Sequence, residues 1–343
     1  MSRLEEVIKS MEQKYKRGII FSGKDIRKCE FIPFSSPRMN YVTRGGVAKS
    51  RLVEFIGMEG SGKTTSALDN LGNFQKIDDR GAVYVDLENT LDREWGEKLG
   101  VEWDKVIVLQ PENESGEYIL NMVEDFIMSG EIGWLCLDSI PHLVPKKVLE
   151  GSYDEGSFCG NSGILSKFAN RITSKLAKYN CTAIMINQLR DRINSQFVAY
   201  NTPGGKALKC AYSQRIWFYK GKFIDKDNKE IPSSCEAPVG NLVDVKIEKN
   251  KVSKPDRRIG FYTLKYDTGI DIINDTVEVA ILFNIIAQSG AWYYIIDEET
   301  GEVLNWDNEL LKFQGKKRLL DKLNEDDELF SRIYKRVNEK LKE

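Results

Sequence analysis

Histidine is almost missing from this chain: His142 is the only one in 343 residues. Its scarcity excludes a histidine-rich metal site and every catalytic triad not built on this one ring. Set in the apolar run Ile140-Pro-His-Leu-Val144, it reads as a structural residue. Six cysteines, Cys29, Cys136, Cys159, Cys181, Cys210 and Cys235, form no C-x-x-C pair, and Cys136 and Cys181 sit inside apolar runs. They read as reduced core thiols rather than disulfide partners or zinc ligands. No apolar run approaches the roughly 18 residues that span a bilayer. The opening Met1-Ser-Arg-Leu-Glu-Glu6 starts a charged amphipathic stretch without the apolar core of a signal peptide. A soluble, cytoplasmic protein with no membrane partner is the expectation. Strong charge of one sign is missing too, since 50 basic against 52 acidic residues leave a net −2. A global basic field for nucleic acid is excluded, so any such binding must run through a local groove.

What the chain does have is room for a large core, with 41% apolar residues. Residues 3–17 carry Leu4, Val7, Ile8, Met11 and Tyr15 at the three-and-four spacing of a one-sided helix. So short a helix needs a surface to dock on, either its own core or a neighbouring subunit. From about residue 50, apolar runs at 52–56, 82–85, 106–109, 134–137 and 182–186 alternate with helical stretches. Several are apolar at nearly every position, as strands buried on both faces of a parallel sheet must be. Further strands are expected at 215–219, 242–248 and 259–266, with a hairpin tip at Asp225-Lys-Asp-Asn-Lys229. After about residue 263 the pattern changes to a small α/β region ending in two charged amphipathic helices. The last of these has acids in its first turn and Asn324 available as its cap.

The sharpest signal is Gly57-Met58-Glu59-Gly60-Ser61-Gly62-Lys63-Thr64, a full match to G-x-x-x-x-G-K-[ST] between an expected strand and an expected helix. Glycines let backbone N–H groups turn toward a phosphate at a helix N-terminus. In that setting Lys63 serves the β- and γ-phosphates and the Thr64 hydroxyl a magnesium ion. Trp134-Leu-Cys-Leu-Asp138-Ser139 supplies an apolar strand ending in an acid, a second candidate on the magnesium side. Val83-Tyr-Val-Asp86-Leu87-Glu88 supplies two acids expected on the same side of a strand end, with Glu88 the candidate to activate water. ATP and Mg2+ are the cofactors this set calls for.

These pieces, in this order, resemble the RecA recombinases over nearly the whole chain. Gly57 to Thr65 looks like the family's phosphate loop, and Asp86-Leu-Glu-Asn-Thr-Leu-Asp92 like its catalytic-glutamate segment, followed by Lys98-Leu-Gly-Val101. Leu137-Asp-Ser-Ile140, Pro145, Ile186-Asn-Gln188-Leu-Arg190, Gly204-Gly-Lys-Ala-Leu-Lys209, Lys249-Asn-Lys251 and Gly290-Ala-Trp-Tyr293 complete the series. The resemblance implies an α/β RecA-type phosphate-loop core with a mostly parallel central sheet, a short N-terminal helix and a small C-terminal α/β domain. The division expected is 1–34 for subunit docking, 35–262 for the ATPase core with its DNA loops, and 263–343 for the C-terminal domain. It implies further that Gly57, Glu59, Gly60, Ser61, Gly62, Lys63, Thr64 and Thr65 cradle the nucleotide, with Asp92 and Trp95 at the adenine. A flat indole there suits stacking on a base. Gln188 takes the place of the residue that senses the γ-phosphate and relays it onward, and Lys249 and Lys251 those that reach the ATP of a neighbouring subunit. Glu88, Lys63 and Gln188 form the catalytic set, and Thr64 and Asp138 the metal set. Departures exist: Cys210 stands where the family usually has a phenylalanine, Met58 where it has a proline, and the chain ends without an acidic tail. A divergent, phage-encoded relative working in a host bacterial cytoplasm would fit them.

Residues 189–209 hold Arg190, Arg192, Lys206 and Lys209 against one acid, Asp191, interleaved with Ile193, Phe197 and Tyr200 and followed by Gly204-Gly205. Cations suit phosphates, and apolar wedges suit gaps between unstacked bases. A first loop at 150–158 is acidic and offers backbone amides and Phe158, and Arg171 on the helix between the loops is a phosphate candidate. The expected DNA set is Phe158, Arg171, Arg190, Arg192, Ile193, Phe197, Gly204, Gly205 and Lys206. The expected function is ATP-dependent strand exchange by a helical filament on single-stranded DNA that pairs it with homologous duplex, with a single-strand-binding protein or loader as a further partner. The rivals are another RecA-fold motor, helicase or RadA-like, and a non-catalytic filament protein that binds ATP without useful turnover.

Overall fold

The computed structural model describes residues 3–15, 20, 23, 28–151, 160–191 and 200–343. Residues 1–30 form one unit and residues 31–343 a second. In the first, α1 (Arg3–Lys14) buries none of its residues and leaves Leu4, Val7 and Met11 exposed, as is Tyr15 just after it.

The second unit opens with β1 (Phe31–Ile32) paired to β2 (Val47–Ala48) around α2 (Pro37–Thr43), whose cap is Ser36. Then follow β3 (Leu52–Gly57), α3 (Lys63–Gln75), β4 (Gly81–Asp86), α4 (Arg93–Lys98), β5 (Val106–Leu109), α5 (Gly116–Ser129), β6 (Ile132–Asp138), α6 (Lys146–Leu149), α7 (Ser162–Tyr179) and β7 (Thr182–Gln188). This is the strand–helix alternation expected of residues 50–190. β3 and β6 are buried at every position, so a helix must cover each face of the sheet. On one side Leu135 and Leu137 meet Val123 and Ile127 of α5 and Ile172 and Leu176 of α7. On the other, Trp134 donates its indole N–H to Asn70 of α3 at 3.1 Å and stacks on Tyr84.

β8 (Arg190–Asp191) and β9 (Tyr200–Asn201) form a small hairpin, and α8 (Gly205–Ala211) leads into β10 (Gln214–Ile224), β11 (Glu230–Ile231), β12 (Gly240–Asn250), β13 (Ile259–Lys265) and β14 (Gly269–Ile270). β10 and β12 are longer than expected because a register shift between Lys220 and Phe223 lets their pairing continue. The expected tip at 225–229 turns β10 into β11, with Asp225 Oδ1 accepting from the N–H groups of Asp227 and Lys229. Among the described residues the main sheet runs β14-β13-β12-β10-β3-β7-β6-β4-β5. It is parallel from β10 to β5 and antiparallel from β10 to β14. The sheet thus continues to Ile270, past residue 263 where the sequence-based boundary falls.

Beyond it, α9 (Ile272–Leu282), β15 (Ile286–Ser289), β16 (Trp292–Ile295), β17 (Asn305–Trp306), β18 (Glu309–Leu310), β19 (Lys312–Gln314), α10 (Lys316–Glu325) and α11 (Asp327–Lys342) share a second core built on Val277, Ile295, Leu319, Leu329 and Ile333. Asn324 is not the cap of the last helix. It lies inside α10 and donates to Leu320 O, while Asp326 caps α11 by accepting from Leu329 N at 2.9 Å. Two helices with one residue between them leave the capping position to that residue.

Candidate active site

The carboxyl ends of β3, β7, β6 and β4, adjacent in that order, bring the sequence candidates together. Register aligns them, with Gly57 opposite Gln188 and Asp86 opposite Asp138. Between β3 and α3 the loop turns through Gly60 at φ 66° and Gly62 at φ 91°, values that L side chains rarely adopt. A Cβ on Gly57 would lie 2.4 Å from Phe218 O and one on Gly62 2.9 Å from the Tyr262 hydroxyl. The start of α3 has no side-chain cap, so its first N–H groups are open to a ligand. Ser61 Oγ is buried without a hydrogen-bond partner. An orphan hydroxyl beside an uncapped helix end is the donor set a phosphate satisfies.

Lys63 is buried and folds back to donate to Met58 O at 2.7 Å. Burial pulls its ammonium below the ordinary value, against the upward pull of Asp138, Glu88 and Glu59. Thr64 Oγ1 donates to Asp138 Oδ2 at 2.8 Å, and so does the Tyr84 hydroxyl at 2.8 Å. Burial raises the Asp138 carboxyl, and the two hydroxyls oppose that rise. A hydroxyl and a carboxylate this close fit a magnesium ion that takes its remaining ligands from phosphate and water.

Glu88 faces the same place. Its Oε1 accepts from Gln188 Nε2 at 3.0 Å and from Ser139 Oγ at 2.5 Å. Asp86 does not share its direction, contrary to the strand alternation assumed for the pair. β4 ends at Asp86, and that buried carboxylate accepts from Thr90 N, Leu91 N and Gln110 Nε2. It shapes the turn that presents Glu88.

Asp92 caps α4, accepting from Trp95 N at 3.1 Å, and Trp95 Nε1 donates to Thr65 Oγ1 at 3.3 Å. Trp95 therefore stands next to the loop, with Asp92 at the head of its helix. A cavity of about 280 Å³ over Gly60 to Thr65 is walled on its far side by Lys220, Asn241, Leu264 and Tyr266. Tyr266 donates to Asn241 Oδ1 at 2.9 Å. Sequence reading missed these residues because β10, β12 and β13 carry no local motif. It also read His142 as structural from its apolar neighbours; the ring is exposed, with Nδ1 3.3 Å from Glu88 Oε1.

Lys249 and Lys251 are not at this cavity. Lys249 Nζ donates to Lys209 O at 2.6 Å and Cys210 O at 3.1 Å, and Lys251 Nζ to Cys210 O at 2.9 Å, at the end of α8. Gly204 and Gly205 open α8 at φ 105° and 72°, and Lys206 is exposed on it. Arg171 is committed to Glu124 on α5, with Nη2 2.7 Å from Oε2, and Lys175 pairs with the same buried acid. The backbone of Arg190 lies on β8; its side chain, Phe158, Arg192, Ile193 and Phe197 fall outside the described residues.

A glycine loop and an uncapped helix end beside two carboxylates, at the C-terminal edge of a mostly parallel sheet, define a phosphate-loop nucleoside triphosphatase. The family model for the RecA N-terminal domain matches residues 2–271. The chain is 32% identical over 348 residues to Protein RecA of Chloroherpeton thalassium, covering 99% of this chain and 90% of that one. It is 33% identical over 345 residues to Protein RecA of Mycoplasma mycoides subsp. mycoides, covering 98% and 93%. To Protein RecA of Mesoplasma florum it is 35% identical over 290 residues, covering 84% and 80%. The chain belongs to the RecA family, and its role is that of a DNA-dependent ATPase and recombinase.

Proposed function

We propose that this RecA-family recombinase couples ATP hydrolysis at the loop 57–65 to the grip of its second loop on single-stranded DNA, within a helical filament that searches homologous duplex. One observation carries the reading: Gln188 Nε2 lies 3.0 Å from Glu88 Oε1, joining the acid that activates water to the last residue before the DNA segment. Gly57, Glu59, Gly60, Ser61, Gly62, Lys63, Thr64 and Thr65 hold the triphosphate through backbone N–H groups, the Ser61 hydroxyl and the Lys63 ammonium. Asp92 and Trp95 approach the base from one side, with Asn241 and Tyr266 opposite. Thr64 and Asp138 hold the magnesium ion, which when bound neutralises charge on the phosphates.

Glu88 takes a proton from the attacking water, a role in which a carboxylate contributes about 10² to 10⁴ in rate. The Gln188 amide donates to Glu88 and has a second proton for a phosphate oxygen. Formation of that second bond is the signal passed from the end of β7 to the segment that begins at Arg190. Arg190, Arg192 and Lys206 meet phosphates, Phe158, Ile193 and Phe197 meet bases, and Gly204 with Gly205 let the backbone follow the strand. Arg171 stands behind them, neutralising Glu124. Lys249 and Lys251 reach the nucleotide of the adjacent copy once the filament forms, and residues 1–34 dock on that copy. The exposed apolar side chains of α1 support that docking. Residues 35–262, together with the strands that carry the main sheet on to Ile270, are the motor and the rest of 263–343 is a small accessory domain, with a single-strand-binding protein or loader as an additional partner.

ATP hydrolysis measured with and without single-stranded DNA tests the reading. Stimulation of about tenfold or more is expected. Glu88→Gln should lower turnover at least about 100-fold while nucleotide affinity stays unchanged. Undiminished hydrolysis by that variant would refute the assignment.

A further inference from the structure

The mechanism above leaves the one histidine of the chain without a task. His142 closes the 3₁₀ turn Ile140–His142 that follows β6, and its side chain is 45% exposed. The turn is held from outside the ring, because Asn161 Nδ2 donates to Ile140 O at 2.9 Å and Leu143 is buried below it. The imidazole is half-exposed. It is aimed at the site, with Nδ1 3.0 Å from Ser139 Oγ and 3.3 Å from Glu88 Oε1. Ser139 Oγ and Gln188 Nε2 reach the same Glu88 oxygen, so three groups converge on it.

Proton bookkeeping then makes the ring decisive. Ser139 has a single hydroxyl proton to give. When Nδ1 is bare, it competes with Glu88 for that proton. When Nδ1 carries a proton it becomes a donor, and Ser139 can give its own proton to Glu88. An imidazolium adds a charge-assisted interaction with the same carboxylate and lowers its basicity. We propose that His142 is a positioning residue for Glu88, a clasp worked by a proton. Charged, it ties up the carboxylate that must activate water; neutral, it lets that carboxylate work. The proposal rests on Glu88 being that base.

Other titratable groups face this place: Glu88 beyond β4, Asp138 on β6 and Lys63 on α3, while Lys146 on α6 pairs with Glu150. Asp138, already raised by burial, can bend an acid limb of its own, so the assay compares variants rather than reading one curve.

DNA-stimulated kcat should be measured from about pH 5.5 to 8.5, across the ordinary range of histidine, for the wild type, His142→Ala and His142→Gln. Near about pH 6 both variants should exceed the wild type by roughly three- to tenfold, the size of effect expected when a catalytic base is freed from a charged neighbour. Near about pH 8 all three should agree within about twofold, with nucleotide affinity unchanged. Coincident profiles would overturn the clasp. A readout independent of turnover comes from NMR of the lone imidazole, whose ring resonances at one fixed pH should move in Glu88→Gln as the facing carboxylate is lost. Ring resonances that stay in place in that variant overturn the clasp alone. Resonances that move while Glu88→Gln still hydrolyses ATP at the full rate overturn the base assignment, and the clasp with it.

Discussion

Glu54 sits on the strand that leads into the phosphate loop. It is fully buried on β3, accepts from Asn187 Nδ2 at 2.7 Å and pairs with Arg215 Nε at 2.5 Å. Burial lifts its carboxyl, and Arg215 and then Asn187 pull the other way. Asn187 also donates to Pro203 O, and Arg215 to Thr202 Oγ1. One buried acid therefore ties together the strand before the loop, the residue before Gln188 and the far end of the second DNA segment. Breaking a buried pair costs more than replacing both partners, because the survivor is left uncompensated. Arg215→Ala should lower stability by about 3 kcal/mol, and Glu54→Gln added to it should return part of that loss. Urea denaturation of both singles and the double gives the coupling; strictly additive losses would contradict the pairing.

At the scale of elements, α8 depends on neighbours from another strand. It spans only Gly205–Ala211, too short to persist alone, and its last carbonyls accept from Lys249 of β12 and from Lys251 just beyond that strand. Burial, and then Lys251, push Lys249 down to about 8. Replacing both lysines with alanine removes charge where the helix dipole favours it. Amide deuterium exchange in residues 205–212 should accelerate about tenfold, equivalent to ~1.4 kcal/mol, while α3 is unaffected. Equal exchange would show that the lysines do not hold the helix.

How much was legible follows from the same distinction between local and distant causes. The buried strands and the glycine loop carry their own signal, since burial on both faces demands continuous apolar runs and a phosphate turn demands glycine. The wall made by Lys220, Asn241 and Tyr266 carries none, because it exists only through the pairing of β10, β12 and β13. Asp86 and Glu88 were read onto one side because alternation was carried past Asp86, where the turn it shapes ends β4. His142 was assigned by its apolar neighbours, but a 3₁₀ turn points Ile140 inward and the next ring but one outward.

For the molecule as a whole, two interior acids contribute to the response to pH. Asp275 Oδ2 accepts from Ser36 Oγ at 2.5 Å and its Oδ1 from Thr263 N at 3.2 Å, linking α9 to α2 and β13. Burial pushes it up to about 7, and Asp69, which accepts from Ser35 N, up to about 6. Both lie above the unfolded value of 3.8. Their contribution to stability is thus complete below about pH 4 and is lost as the pH climbs through 6 and 7. Asp275→Asn removes one titration, so between about pH 4 and 8 the wild type should lose as much as ~4 kcal/mol relative to the variant. Urea midpoints across that range measure it, and a constant gap between the two proteins would rule the assignment out.

The cavity over the loop has its floor on the glycine loop and the start of α3 and its far wall on β10, β12 and the end of β13. A nucleotide seated there acts as a rivet between that loop and the antiparallel portion of the sheet. Saturation at about a hundred times Kd adds ~2.7 kcal/mol, felt on both sides of the joint at once. The melting temperature of the loaded protein is then a gauge of occupancy, readable in a dye-based thermal scan without DNA, turnover or a second copy.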